Sequence, residues 1–129
     1  ALTQVIAQGA GMVPKTFIHS FGDSHFYTSI GKRTQWYRDN FREVQQRIKS
    51  VSQREDYLEL VDWINKKAPS DGIEEKYDHV TAILEQMSRK PRPLPKLRIA
   101  QKPFDQLTID DFVVENYDPH PPIRRNMCV

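Results

Sequence analysis

The sequence predicts a protein of mixed helices and β-strands, because two kinds of apolar pattern alternate along it. Between residues 28 and 90, apolar residues recur at spacings of three and four, the period of helices that pack by one face. Extended segments lie on both sides, one at 16–27 and two at 97–101 and 112–118. With 129 residues, 38% of them hydrophobic, the chain can bury a core without disulfides or a structural metal.

The N-terminal end is predicted to form a short helix. Leu2, Val5 and Ile6 can lie on its buried side, and Gly9 can end it. This stretch is far shorter than the roughly 20 apolar residues of a membrane span, and it lacks the basic leader of a signal peptide. Because the helical pattern is already under way at Ala1, we expect the chain to be a piece of a longer protein.

Residues 16–27 are predicted to form a strand that is buried on both faces. Phe17, His19 and Phe21 alternate with Ile18, so bulky side chains lie on both sides. Polar side chains gather at the end of this strand, at Asp23, Ser24, His25 and Tyr27.

The polar side chains at this strand end lack the full pattern of a metal site or of a serine nucleophile. Asp23 and His25 have the spacing of two metal ligands on one strand face, but a metal site needs about three or four, so we predict no metal. Ser24 beside His25 lacks the flanking glycines of a nucleophile elbow. The favoured interpretation is hydrogen bonding at the strand end.

Three helices are predicted between this strand and residue 90. The apolar stripe of the first consists of Tyr37, Phe41, Val44, Ile48 and Val51. Ser52 and Glu55 have the spacing of a capping box, which predicts the start of the second helix. The stripe of the second helix consists of Tyr57, Leu60, Val61 and Ile64. The third helix runs to about Lys90, with a stripe of Val80, Ile83, Leu84 and Met87.

Charge divides this region into a basic half, 32–54, and an acidic half, 55–75. The division favours an antiparallel helical hairpin, whose exposed ion pairs would contribute about 0–1 kcal/mol each. Over the chain, 19 Lys and Arg oppose 17 Asp and Glu, a net charge of +2, which favours neither nucleic acid nor a membrane as partner. Basic and aromatic residues do mix, as nucleic-acid platforms require, at Lys32, Arg33, Trp36, Tyr37 and Arg38.

The C-terminal region is predicted to be extended, because Pro91, Pro93 and Pro95 exclude a helix before the strands at 97–101 and 112–118. Cys128 is the single cysteine, which excludes an internal disulfide and favours a reducing, cytoplasmic compartment. A thiol so close to a terminus is poorly held for catalysis, so we interpret it as a small apolar residue.

Four motifs resemble those of thymidylate synthases and occur in the same order. Residues 21–27, F-G-D-S-H-F-Y, are similar to the family's G-D-x-H-x-Y strand, and Leu2–Gln8 resembles the L-x-x-x-x-A-Q helix before it. Residues 88–97, S-R-K-P-R-P-L-P-K-L, are similar to the R-x-P-R-P-x-P-K-L run. Residues 111–121, which begin with D-F and end with Y-D-P-H-P, resemble the family's C-terminal ending.

The resemblance implies an α+β fold with a twisted sheet whose back face forms a homodimer. This chain would hold part of that sheet, as the C-terminal portion of the domain, in residues 1–27 and 78–129. In the family the G-D-x-H-x-Y strand runs almost directly into the helix that here begins near residue 78. Residues 28–77, about fifty, are therefore expected to be an inserted helical hairpin.

The resemblance also implies an activity, the reductive methylation of dUMP to dTMP with methylenetetrahydrofolate as co-substrate and no metal. By family position, His25, Phe26 and Tyr27 are expected to contact dUMP, with His25 and Tyr27 bonded to the sugar hydroxyl. Cys128 and Val129 are expected to fold over the folate as a lid. The family's catalytic thiol precedes residue 1, so we expect no catalytic residue here and no turnover by this chain alone.

Two alternatives remain open. A pyrimidine nucleotide hydroxymethylase of the same fold would fit, because the residue that reads the base is expected outside this chain. A protein of a different class would also fit, namely a non-catalytic interaction module in which the hairpin at 28–77 binds a partner.

Overall fold

The computed structural model describes residues 1–127, a mixture of helices with a small antiparallel sheet. Its α-helices are α1 (Leu2–Gly9), α2 (Gly31–Asp39), α3 (Phe41–Ser50), α4 (Arg54–Lys67) and α5 (His79–Ser88), and its strands are β1 (Lys96–Ile99) and β2 (Phe112–Glu115). The chain divides into two compact units, the first made of Ala1–Asp23 and Arg92–His120, the second of Ser24–Pro91 and the segment from Pro121 onward. No helix in this described part of the chain is long and apolar enough to cross a membrane.

The first unit contains α1 and the two-stranded sheet. β1 and β2 pair in antiparallel fashion, in a register that places Leu97 opposite Val114. On α1, Val5 is buried, and the side-chain amide of Gln8 donates to the backbone oxygen of Ala100 at 2.8 Å. The predicted N-terminal helix and both predicted C-terminal strands are confirmed, although the strands are shorter than expected. The predicted buried side of the helix is wrong at Leu2 and Ile6, which are 69 and 60% exposed.

The prediction of a strand over 16–27 is wrong, since this segment has no strand in the structure. Phe17, Ile18 and Phe21 are exposed at 73, 84 and 74%. His19 and Phe21, predicted to lie on the same side of the strand, do remain neighbours, because their rings stack with centroids 4.3 Å apart. A strand buried on both faces needs neighbouring strands and covering layers, and the described residues supply neither to this segment.

The second unit is helical, and its core lies between the helices of the 28–77 segment and α5. Its buried apolar residues are Tyr37, Val44, Leu60, Ile64, Ala68, Val80 and Leu84. The stripes predicted for the second and third helices are confirmed at Leu60, Ile64, Val80 and Leu84, whereas Met87, the last residue of the third stripe, is 49% exposed. Residues on both sides of position 78 therefore share one core.

The single helix predicted from Tyr37 to Val51 is divided at Asn40 into α2 and α3. Asn40 has φ −108° and ψ 14°, and its side-chain amide donates to the backbone oxygen of Trp36 at 2.9 Å. Asparagine side chains that bond the backbone in this way compete with continued helix. Phe41 therefore leaves the predicted stripe and is 62% exposed.

The capping box of α4 is formed one residue later than predicted, by Gln53 and Asp56 instead of Ser52 and Glu55. The carboxylate of Asp56 accepts from the backbone nitrogens of Ser52 at 2.9 Å and of Gln53 at 3.1 Å. These two bonds, the Ser52 bond first, lower the pKa of the Asp56 carboxyl below its usual range.

The basic and acidic halves of the helical region form ion pairs within single helices. Arg47 pairs with Glu43 on α3 at 2.9 Å, and Lys66 pairs with Asp62 on α4 at 2.5 Å. Both pairs are exposed, so each contributes about 0–1 kcal/mol. Segregated charge is thus a weak guide to how these helices pack.

Candidate functional site

The residues predicted to contact the nucleotide lie in the second unit, shortly before α2. They are His25, Phe26 and Tyr27. The backbone nitrogen of His79 donates to the backbone oxygen of Tyr27 at 3.2 Å, and Thr28 forms an isolated antiparallel bridge with Asp78. This short segment is thereby attached to the start of α5.

A row of aromatic rings makes the same connection through side chains. The rings of His25 and Tyr27 meet edge to face, with centroids 5.7 Å apart and an interplanar angle of 89°. The rings of Tyr27 and His79 repeat this geometry at 5.5 Å and 85°. Phe26 is 54% exposed. Sequence reasoning missed His79, for which the available signal was its place beside the start of a predicted helix.

The C-terminal segment reaches the same place. The Nε2 atom of His79 lies 2.9 Å from the backbone oxygen of Asn126, and because a carbonyl only accepts, Nε2 is the donor. The backbone nitrogen of Asn126 donates to the backbone oxygen of Lys76 at 2.6 Å. Arg125 Nε donates to the backbone oxygen of Asp78 at 3.1 Å. The tail is therefore bonded along residues 76–79.

Cys128 and Val129, the residues predicted to fold over the folate, lie outside the residues that the structure describes. The described tail ends at Met127, immediately after Asn126. The segment that leads into the predicted lid is thus held against His79, whose ring packs on Tyr27.

A buried polar cluster anchors the start of α5. Arg33 and Asp78 are both 0% exposed, and Arg33 Nε donates to Asp78 Oδ2 at 2.7 Å. The rest of the guanidinium donates to Asn65 Oδ1 at 2.7 Å and to the backbone oxygen of Pro69 at 3.2 Å. The Tyr37 hydroxyl donates to Asp78 Oδ2 at 2.8 Å. Burial, followed by the adjacent negative charge of Asp78, raises the pKa of Tyr37 well above its usual range, which keeps this hydroxyl protonated.

Asp78 also caps α5, because its Oδ1 accepts from the backbone nitrogen of Thr81 at 3.1 Å. One carboxylate thus binds an arginine, a tyrosine and a helix end. The capping role has a local signal, an aspartate just before an apolar helical stripe. The pairing with Arg33 has none, since the two residues are 45 positions apart.

The residues considered for a metal site or for nucleic-acid binding are not arranged for either role in the described part of the chain. His19 lies between Phe17 and Phe21, with ring centroids 5.8 and 4.3 Å away. Within residues 1–127, no group of three or more His, Cys, Asp or Glu side chains is arranged to hold a metal ion. In the basic and aromatic mixture on α2, Arg33 and Tyr37 are 0% and 4% exposed, so neither is available to a nucleic acid.

The chain matches the family model of thymidylate synthase over residues 1–129. It is 42% identical to the thymidylate synthase of Haloferax volcanii over 125 aligned positions. This alignment covers 95% of this chain and 36% of that protein. Its identity to the enzymes of Saccharomyces cerevisiae and Homo sapiens is 29% and 28%, each over 130 aligned positions and 99% of this chain, covering 27% and 26% of those proteins. No solved structure matches significantly.

The chain spans about a third or less of the length of these relatives. Because the family model matches it from the first residue to the last, the chain belongs to the thymidylate synthase family.

Proposed function

We propose that this chain is the C-terminal portion of a thymidylate synthase, a methyltransferase that converts dUMP to dTMP with methylenetetrahydrofolate. The observation that carries the proposal is the family match over residues 1–129. The complete enzyme is proposed to be a cytoplasmic homodimer, as the resemblance implies. Val113 and Val114 of β2 are 51 and 55% exposed, which is consistent with sheet surface that other parts of such an assembly would cover.

In this proposal His25 and Tyr27 bind the sugar hydroxyl of dUMP, with Phe26 in the same binding segment. A neutral imidazole and a phenol each donate and accept, so together they can orient a hydroxyl without adding charge. The edge-to-face contact of the two rings, at 5.7 Å, supports a shared role because it restricts both side chains. This segment orients the nucleotide, and the reaction chemistry belongs to residues outside the chain.

Cys128 and Val129 are proposed to close over the folate after it binds. Closure of a lid excludes water from a reaction that transfers hydride. The hydrogen bonds that hold Asn126 to Lys76 and His79 support this role, because they hold the segment leading into the lid against His79, whose ring packs on Tyr27. Cys128 acts there as a small side chain, so Cys128→Ala should keep most of the activity of the complete enzyme.

Residues 28–77 are proposed to be an insertion between 1–27 and 78–129, as the spacing of the family motifs implies. The core that α4 shares with α5 supports an insertion that is integrated with the domain. An insertion of this kind differs from a separate binding module, because its removal would expose apolar side chains of α5.

The test is dTMP formation by the complete protein from dUMP and methylenetetrahydrofolate. Tyr27→Phe should raise the KM for dUMP about two- to tenfold, the effect of losing one neutral hydrogen bond worth about 0.5–1.5 kcal/mol. Tyr57→Phe, on α4 and packed against the helical core, is the matched control and should leave the KM for dUMP unchanged.

Three outcomes would contradict the proposal. Formation of hydroxymethylated dCMP would identify the hydroxymethylase of the same fold. Absence of any pyrimidine turnover by the complete protein would favour the interaction module. Turnover by residues 1–129 alone would place the nucleophile in this chain, whose single thiol is Cys128.

A further inference from the structure

His79 makes three contacts with two segments that are far apart in sequence. Its ring packs in an edge-to-face arrangement with the Tyr27 ring, with centroids 5.5 Å apart. Its backbone nitrogen donates to the backbone oxygen of Tyr27 at 3.2 Å. Its Nε2 donates to the backbone oxygen of Asn126 at 2.9 Å. A single side chain therefore touches the proposed nucleotide contact and the tail that leads to the proposed lid.

The backbone that carries His79 is firmly placed. The preceding residue, Asp78, is completely buried and bound by Arg33 and Tyr37. Asp78 also bonds the backbone nitrogen of Thr81 in the first turn of α5. A substitution of the His79 side chain therefore removes the contacts of the ring and leaves the bonds that hold the neighbouring backbone in place.

Stabilisation of α5 does not account for the choice of histidine here. The first turn of a helix favours acidic side chains, and α5 has none in its first turn. The N-terminal cap is already supplied by Asp78. The contacts with Tyr27 and Asn126 are what distinguish histidine at this position from any other helix-forming residue.

We infer that His79 is a positioning residue that fixes Tyr27 through its ring and the C-terminal tail through Nε2. The inference rests on the proposed function, in which Tyr27 binds dUMP and the residues after Asn126 close over the folate. In that setting His79 is the physical link between the nucleotide contact and the lid. Each half of the link can be removed separately.

Two substitutions in the complete protein separate the halves. His79→Phe keeps a ring for Tyr27 but has no donor for Asn126. His79→Gln keeps an N–H near the place of Nε2 but has no ring for Tyr27. Each variant is thus the matched control of the other, and circular dichroism at the working temperature checks that both are folded.

The expected results differ between the two variants. His79→Phe should raise the KM for methylenetetrahydrofolate about three- to tenfold, the scale of one lost hydrogen bond, and should leave the Kd of dUMP within about twofold. It should also speed the release of C-terminal residues by a carboxypeptidase by a similar factor. His79→Gln should instead raise the Kd of dUMP about two- to fivefold and leave carboxypeptidase release near the wild-type rate.

The inference is overturned if both variants match wild type in all three measurements. It is also overturned if both change all three equally, since His79 would then have only a general structural role. Faster tail release in His79→Phe from a protein that forms no dTMP would support the link to the tail while refuting the proposed function. The carboxypeptidase measurement thus separates failure of the inference from failure of the function.

Discussion

Arg33 and Asp78 form a fully buried ion pair, 2.7 Å long, between the 28–77 segment and the residue that follows it. Each of the three guanidinium nitrogens donates a hydrogen bond, because Pro69 and Asn65 accept from the two terminal nitrogens and Asp78 accepts from Nε. The carboxylate is likewise shared with Tyr37 and the first turn of α5. The predicted boundary between insertion and domain is therefore crossed by the most buried charges of the unit.

Removing one member of this pair should be costly. Asp78→Ala leaves a buried guanidinium without its counter-charge and removes the cap of α5, so we expect a loss of about 3–5 kcal/mol in the free energy of unfolding. The measurement is urea denaturation of the complete protein, followed by the fluorescence of Trp36 and Trp63, which lie in the same unit.

Lys66→Ala is the control for Asp78→Ala. It breaks the ion pair between Lys66 and Asp62, whose side chains are 71% and 63% exposed respectively. Its loss should cost about 0–1 kcal/mol. Equal losses in the two variants would mean that burial does not determine the importance of the Arg33–Asp78 pair.

The helices of the second unit illustrate what local pattern can predict. The spacing of Leu60, Ile64, Val80 and Leu84 predicts two buried stripes, and the structure confirms them, because helical periodicity is set by neighbouring residues. The break at Asn40 was missed since the apolar period continues across it. Its cause is a side-chain bond to the backbone, which periodicity does not reveal.

Relationships between distant residues were not predictable from pattern. The strand over 16–27 required partners that the described residues do not supply. At the candidate site, a motif drew attention to His25 and Tyr27, but nothing local indicated that His79 would meet Tyr27 or that Arg33 would pair with Asp78. Such contacts depend on the packing of the whole unit, so a single sequence carries no direct record of them.

Tyr37 should make stability depend on pH in the alkaline range. Burial and then Asp78 raise its pKa well above the usual 10.0, so the folded protein keeps this proton where the unfolded chain loses it. The contribution of the protonated Tyr37 hydroxyl to the free energy of unfolding is thus complete below about pH 10. It declines as the pH rises further, by about 1.4 kcal/mol per pH unit.

Tyr37→Phe isolates this effect from the other tyrosines. Loss of a hydrogen bond to a carboxylate should lower the free energy of unfolding by about 1.5–3 kcal/mol at pH 8. The difference between wild type and variant, from urea denaturation at several values between about pH 8 and 11, should shrink above about pH 10. A difference that stays constant or grows over this range would contradict the raised pKa.

Gly31, at the start of α2, lies close to the side chain of Glu74, and Gly72 is a comparison position without such a neighbour. Both have left-handed backbones, with φ of 55° and 80°. A Cβ atom on Gly31 would overlap Oε1 of Glu74, the oxygen that accepts from the backbone nitrogen of Lys32 at 2.9 Å, whereas one on Gly72 would meet no atom within 4 Å.

Gly31→Ala should therefore cost more than Gly72→Ala. Each variant bears the strain of a left-handed alanine, about 1 kcal/mol, and only Gly31→Ala also displaces Glu74 from the start of α2. We expect an excess loss of about 1–2 kcal/mol for Gly31→Ala in urea denaturation, the scale of a lost helix cap. Equal losses would show that the Glu74 contact adds nothing to the cost of the backbone conformation.

Leu60 and Leu58 provide a matched pair on α4 for the core that joins this helix to α5. Leu60 is 6% exposed within the core, and Leu58 is 50% exposed. Leu60→Ala should cost about 2–5 kcal/mol, because it removes buried methyl groups and leaves a cavity. Leu58→Ala should change stability by about 0.5 kcal/mol or less.

The same variants test whether the 28–77 segment is integrated with α5. If the two share one cooperative core, Leu60→Ala should shift the unfolding of α5 and of Trp63 together, as measured by hydrogen exchange on α5 and by fluorescence. If α4 belonged to an independent module, the fluorescence transition would shift and exchange on α5 would not. That second result would argue against a shared core and in favour of a separable module.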